Sequence, residues 1–215
     1  MSTPQEFVRL LSSIEDPAIR LLRNPEVVMW LFADTSFLPA IESKNKSTDT
    51  PKLKVLEDEW GRAALKMHRP DLRLDKQWTN KFGEHLAAEI YHLSGHRDGR
   101  KPRNIDHFEP DWEVDEFIVE AKAGTLFTEG TAHEKVLGCP FKYAEIPALY
   151  GKPLKILCMG GAEKKCREQY GNLPGSKCTP QKQRFLEFFR ENGVEFVAAT
   201  DMIREIVNSR NGSIQ

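Results

Sequence analysis

Over the first eighty residues the apolar positions recur at helical spacing. Phe7, Leu10, Leu11 and Ile14 fall on one stripe. Asp16-Pro17 reads as an N-cap followed by proline at a first helical position. Pro25 opens a short helix carrying Val27, Val28, Trp30, Leu31 and Phe32. Residues 42–52 are polar and lack any period, which predicts a surface loop. Residues 53–67 are helical again, with Val55, Leu56, Trp60, Ala63, Ala64 and Met67 at suitable intervals. No catalytic constellation occurs in this third of the chain. It reads as a helical subdomain over 1–80 that packs on a core and serves dimerisation or DNA contact.

From 80 to 95 one helical stripe holds Phe82, Leu86, Ile90 and Leu93, and an adjacent one holds Glu84, Ala87, Ala88 and Tyr91. The two alanines permit close approach to a sheet and carry Glu84 in with them. Glu89 is the competing acid, pointing less favourably. Gly95 stops the helix. The pattern then changes to strand. Residues 108–124 place Trp112, Val114, Phe117, Ile118 and Val119 around a polar tip at Asp115-Glu116, which predicts a β-hairpin. That tip sets Trp112 opposite Val119 and Asp111 opposite Glu120, with Glu120 and Lys122 on one face. Opposed Cβ atoms lie roughly 4.5–5.5 Å apart. Two carboxylates that close repel unless one protonates or a cation sits between them. The plainer reading is a solvated face on which Lys122 neutralises its neighbours.

Beyond the hairpin, Thr131 and Glu134 match a capping box, and Pro140 and Pro147 break the segment 130–149 into short helices. Residues 154–159 read as a buried strand closed by Gly160-Gly161, and 171–180 as an irregular loop. A helix follows from Thr179/Pro180 to Arg190 with Phe185, Leu186, Phe188 and Phe189 apolar. Then come a strand over 194–198 and a last helix near 200–207.

With 215 residues and a net charge of −1, the composition gives no support for a globally basic nucleic-acid surface, so any such surface is local. No apolar run spans a membrane and the N-terminal residues carry no secretory pattern, so a cytoplasmic protein is expected. The four cysteines fit no common zinc spacing and are expected as free thiols. Local basic clusters do occur. The loop 96–103 carries Arg100, Lys101 and Arg103. Lys135 and Lys142 flank the broken helix. Lys164, Lys165, Arg167 and Gln169 open a stretch rich in Arg, Asn and Gln, the side chains that read purine edges. Each cluster equally suits an ordinary solvated surface.

The order of these features resembles the PD-(D/E)XK nuclease superfamily. A helix with Gly83-Glu84-x-x-Ala87-Ala88 precedes a hairpin with Pro110-Asp111 and Glu120-Ala121-Lys122, then a helix and a strand. The likeness covers about residues 81–160, and the segment 130–149 is similar to type II restriction endonucleases. It implies an α/β (α+β) restriction-endonuclease-like core over 81–215, with a central mixed β-sheet flanked by helices. It implies Mg²⁺, replaceable by Mn²⁺, held by Asp111, Glu120 and the Ala121 carbonyl, with Glu84 serving a second ion or its water shell. Lys122 would orient or deprotonate water or stabilise charge. Double-stranded DNA as substrate, 5′-phosphate and 3′-hydroxyl products, a homodimer and a cognate DNA methyltransferase follow from the same likeness. Two other readings stand beside it: a junction-resolving or nicking nuclease on the same core, and a non-catalytic DNA-binding protein.

Overall fold

A computed structural model describes residues 4–41, 46–73, 77–128 and 134–212. The architecture is α+β, a four-stranded mixed sheet with nine α-helices among the described residues. Three N-terminal helices come first: α1 (Pro4–Ser12), α2 (Pro25–Leu31) and α3 (Lys46–His68). The Asn24 side chain accepts from the Glu26 amide at 3.0 Å, and Pro25 begins α2, a proline start that costs no backbone hydrogen bond.

Three expectations for this region fail. Asp16-Pro17 opens a turn, not a helix. Asp16 Oδ1 accepts from the Ala18 amide at 2.9 Å, and Oδ2 lies 2.8 Å from His92 Nε2. An aspartate that bonds a backbone N–H two residues on serves a turn as readily as a helix cap, so the signal is shared. The loop expected over 42–52 is helix from Lys46 onward, with Pro51 inside it; residues 42–45 lie outside the described set. Polar composition does not separate a loop from helical turns whose backbone groups are paired internally. On α3 the apolar stripe is also misaligned: Val55 and Met67 are exposed while Glu57 is fully buried. The Glu57 carboxylate accepts from Trp30 Nε1 at 2.7 Å and from the amides of Leu126 and Phe127 at 2.8 and 3.2 Å. Those bonds offset its desolvation and tie the N-terminal helices to the loop leaving the sheet.

Next come α4 (Trp78–Leu93), β1 (Trp112–Glu113) and β2 (Ile118–Gly124). The crossover holds α5 (Cys139–Lys142) and α6 (Ile146–Tyr150), each with a proline in its first turn, so the expected break is two short helices. The capping-box residue Thr131 lies outside the described residues. β3 (Leu154–Gly160) leads into α7 (Gly161–Lys165) and a π-helical turn over Cys166–Tyr170. α8 (Pro180–Glu191), β4 (Val194–Ala198) and α9 (Ala199–Gly212) complete the chain. The sheet order is β1-β2-β3-β4, antiparallel in the first pair and parallel in the other two.

The strands separate two apolar layers by residue parity. Val119, Ala121, Ala123, Leu157 and Met159 pack with α1, α2, α4 and α9 in a core that includes Phe7, Trp30 and Phe82. Ile118, Leu154, Ile156 and Cys158 face the other way, toward Cys139, Tyr143 and Ile146. Glu120 and Lys122 share the parity of Ile118, which puts both on the face toward α5. On the opposite face α4 lies close to β2 because Gly83 has no side chain. A Cβ there would stand 2.8 Å from Ala123 Cβ. Gly83→Val is expected to push α4 off the sheet and cost about 1–3 kcal/mol of stability, read from urea unfolding. At the end of β3, Gly160 has φ +57° and lies under the Trp30 ring, two separate reasons for glycine.

Candidate active site

The hairpin forms in the register that its polar tip predicts. Trp112 pairs with Val119, Glu113 pairs with Ile118, and the Val114 amide donates to Phe117 O at 3.0 Å. The Asp111 amide continues the ladder to Val119 O at 3.1 Å. Asp111 then turns its carboxylate along the strand, and Oδ2 accepts from the Ala121 amide at 2.8 Å. A strand residue presents its N–H and C=O on the same edge. The Ala121 carbonyl is therefore on the Asp111 side, beyond the point where β1 ends.

Glu120 is buried on the other side of that edge. Its Oε1 accepts from Lys122 Nζ at 2.5 Å and from Tyr143 Oη at 2.6 Å. Lys142 Nζ lies 2.7 Å from the same phenol oxygen and 4.5 Å from its ring centroid. This is a charged, hydrogen-bonded nest in a largely water-excluded position. Burial, then the charge of Glu120, pushes Asp111 up to about 7, against the pull of the Ala121 amide and Lys122. Burial acts to lower Lys122, but the carboxylates of Glu120 and Asp111 outweigh it and hold the ammonium above its ordinary range. Burial and Glu120 raise Tyr143 well above an ordinary phenol, so it stays a donor. Burial takes the Cys139 thiol up to about 11, which leaves it neutral beside the lysines.

Glu84 faces the same neighbourhood: its charge acts on Asp111 and on Lys101, while its carboxylate is 2.6 Å from Lys81 Nζ. Glu89 does not face it. Glu89 is buried and accepts from the amides of Leu21 and Leu22, at 2.9 Å each. It closes the turn before α2. Glu89→Ala is expected to lower unfolding stability by about 2–4 kcal/mol, because two buried amides lose their acceptor. Glu84→Ala, at a partly exposed ion pair, is expected to change stability by less than about 1 kcal/mol. Chemical denaturation of the two variants separates these roles.

The site's donor set is two carboxylates and a backbone carbonyl, with a third carboxylate drawn aside by Lys81. Among the described residues no three His, Cys, Asp or Glu side chains converge as a ready metal cage. The set nonetheless suits a hard divalent cation, which takes oxygen ligands and keeps several waters. Asp111 near neutrality beside a buried Glu120 is a site short of positive charge. Lys122, already on Glu120, supplies only part of it.

A groove of about 690 Å³ runs from Lys122 between the start of α4 and the segment 135–142. Lys54, Lys122, Lys135 and Lys142 lie along it with Asp58 as the only acid among the described residues, and Gln77 and Asn80 add amides. Lys135 and Lys142 are thus brought to the site, as their positions suggested. The other basic candidates are not in this groove. Arg100 bonds Glu113 at 3.0 Å and Asp115 at 2.9 Å, which clamps the hairpin tip. Lys101 pairs with Glu109 at 2.8 Å, and Arg103 is exposed on the same loop. Arg167 is held by Glu163 at 2.9 Å and Asp201 at 2.7 Å, Lys165 bonds Gln169 at 3.1 Å, and Lys164 is exposed. Sequence reasoning missed Tyr143, Lys54, Gln77 and Asn80 as site residues. Only the Lys142-Tyr143 pair carried any signal, since the other three are far away in the chain. No helix among the described residues is long and apolar enough to cross a membrane. No family model, curated protein or solved structure matches the chain.

Proposed function

We propose that the protein is a cytoplasmic, Mg²⁺-dependent endonuclease of restriction type. It hydrolyses phosphodiester bonds in double-stranded DNA at a specific short sequence, as a homodimer built on a restriction-endonuclease-like core. The observation that carries this reading is the meeting of Asp111, Glu120, the Ala121 backbone and a protonated Lys122 at the head of a lysine-lined groove. A solvated hairpin face would not bury Glu120, nor raise Asp111 toward neutrality. Binding DNA alone gives no reason to bury Glu120 and half-bury Asp111 beside the phosphate path.

Asp111, Glu120 and the Ala121 carbonyl would hold the ion, with Glu84 on a second ion or on its water shell. Mg²⁺ there, or Mn²⁺ in its place, would neutralise the scissile phosphate and make a water nucleophilic at neutral pH. Lys122 is held as an ammonium, so it serves as a hydrogen-bond donor that orients water and stabilises the charge growing on phosphate oxygens, rather than as a base. Tyr143, donating to Glu120 Oε1, keeps that carboxylate aimed. Lys135 and Lys142 balance the backbone charge of a strand lying in the groove, while Lys54 is held by Asp58 at 2.5 Å. The products are a 5′-phosphate and a 3′-hydroxyl. A companion methyltransferase would protect the host's own copies of the target sequence.

The test is incubation with plasmid and long phage DNA, with Mg²⁺ and with EDTA, read on a gel. Discrete bands that need the metal support the proposal. Cleavage confined to branched DNA, or nicking alone, reassigns the chain to a resolvase or nicking enzyme on the same core. No cutting with any divalent cation removes the enzymatic reading and leaves a DNA-binding protein.

A further inference from the structure

Six large apolar side chains stand more than 40% exposed among the described residues, and four of them, Leu137, Phe141, Phe185 and Phe188, share one face. Phe141 lies 6.3 Å and Phe188 6.1 Å, ring to ring, from the half-buried Phe189, and Leu137 lines the same cleft as Phe185. The helix that carries most of this face is itself unusual. α8 has twelve residues and buries none of them. A helix on a globular protein normally hides one apolar stripe. Here Leu186 and Phe189 rest half-buried beside β4, while Phe185 and Phe188 face outward.

At 100° per residue, Phe185 and Phe188 lie about 60° apart on α8, in line with Gln181 and Asn192. Arg184 and Glu191, seven residues apart, flank that stripe on one side within about 20° of each other. Both are exposed, and neither has an ion-pair partner among the described residues. We propose that this face docks on the same face of a second copy, α8 antiparallel to α8 across a two-fold axis near Phe188. That arrangement sets Arg184 of each copy against Glu191 of the other, twice per dimer. A parallel arrangement would carry the two copies' Arg184 and Glu191 to opposite flanks of the helix pair and form neither contact. An isologous contact of this kind is what a two-fold dimer requires.

The three exposed phenylalanines alone supply on the order of 400 Å² per copy, taking about 200 Å² for a whole ring. A stable interface takes about 800 Å² per partner. The remainder of α8 and the arm from Leu137 to Phe141 are the surface available for the rest. Lys142 follows that arm directly, so the dimer axis would lie beside the groove and not at the N-terminal helices. The proposal gives the suggested homodimer a surface, yet it is argued from the single chain and read by mass, so it stands apart from the nuclease reading.

The test is sedimentation equilibrium of the full chain without DNA, from about 1 to 100 µM, a range that spans ordinary dimer affinities. Twice the chain mass is expected for the wild type. Phe185→Glu with Phe188→Glu is expected to give the single mass with an unchanged far-UV spectrum and melting temperature, since both side chains are exposed. Arg184→Glu alone should weaken the dimer at least tenfold, and Arg184→Glu with Glu191→Arg should restore it. A wild-type monomer throughout the range, or a dimer untouched by the aromatic pair, overturns the proposal. So does failure of the reciprocal charge exchange to rescue. A face used for DNA would show an unchanged mass with lost DNA binding in the aromatic variant, and that result also overturns it.

Discussion

Lys122→Ala is expected to cut plasmid cleavage by about 10²–10⁴-fold at saturating Mg²⁺ while leaving DNA binding largely intact. The reason is positional. Lys122 Nζ is 2.5 Å from Glu120 Oε1, one β-pleat from the edge where Asp111 meets the Ala121 amide. Among the described residues it is the only lysine bonded to Glu120; Lys142 is held on the Tyr143 hydroxyl. On the proposed mechanism its loss removes a donor from the reacting phosphate and leaves one groove lysine fewer among several, which weakens binding little. It also removes a cation from a buried carboxylate, so folding is checked by thermal melting at pH 6 and pH 8. Substantial cleavage by a folded Lys122→Ala protein would take Lys122 out of the mechanism.

The second large effect concerns the acids. Asp111 is raised from 3.8 to about 7, by burial first and Glu120 second. A folded carboxyl that binds its proton more tightly than the unfolded one stabilises the fold fully below about pH 4, and the contribution is lost as pH rises through about 7. A shift of that size corresponds to at most roughly 4 kcal/mol. The metal-free protein should therefore melt progressively lower between pH 5 and pH 8. Burial also raises Glu57, Glu89 and Glu163, which add slope of the same sign. Glu120→Gln isolates the pair: it keeps a hydrogen-bond acceptor, removes the charge, and should make the curve shallower, leaving the slope that burial causes. Mg²⁺ at pH 8 should raise the melting temperature of the wild type and not that of Glu120→Gln, because an ion bound only by the folded state stabilises it by mass action. Equal Mg²⁺ shifts in both proteins would place the ion elsewhere.

How much of this was legible in the chain differs from element to element. The hairpin was, because alternation and a polar tip are local signals, and a single tip fixes every pair that follows. The parity of Glu120 and Lys122 came with it. The choice between Glu84 and Glu89 rested on helical phase; folding spends the Glu89 carboxylate on the turn at Leu21 and Leu22. Arg100 and Arg167 were misleading as free cations. Their partners Glu113, Asp115, Glu163 and Asp201 are brought to them by folding, and a charge run in a sequence does not show which of its members is already paired.

The sequence by itself determined the α+β class, the hairpin register, and which face of β2 carries Glu120 and Lys122. These follow from side-chain periodicity, which is set by the backbone and needs no distant contact. Only the tertiary structure decided that Tyr143 caps Glu120 and that Lys54, Gln77 and Asn80 join Lys135 and Lys142 along one groove. It alone decided that the half-buried Asp111, beside Glu120, titrates near neutrality, and that α8 leaves Phe185 and Phe188 in water. Burial and charge proximity arise between segments that are remote in the chain, and no local pattern encodes them.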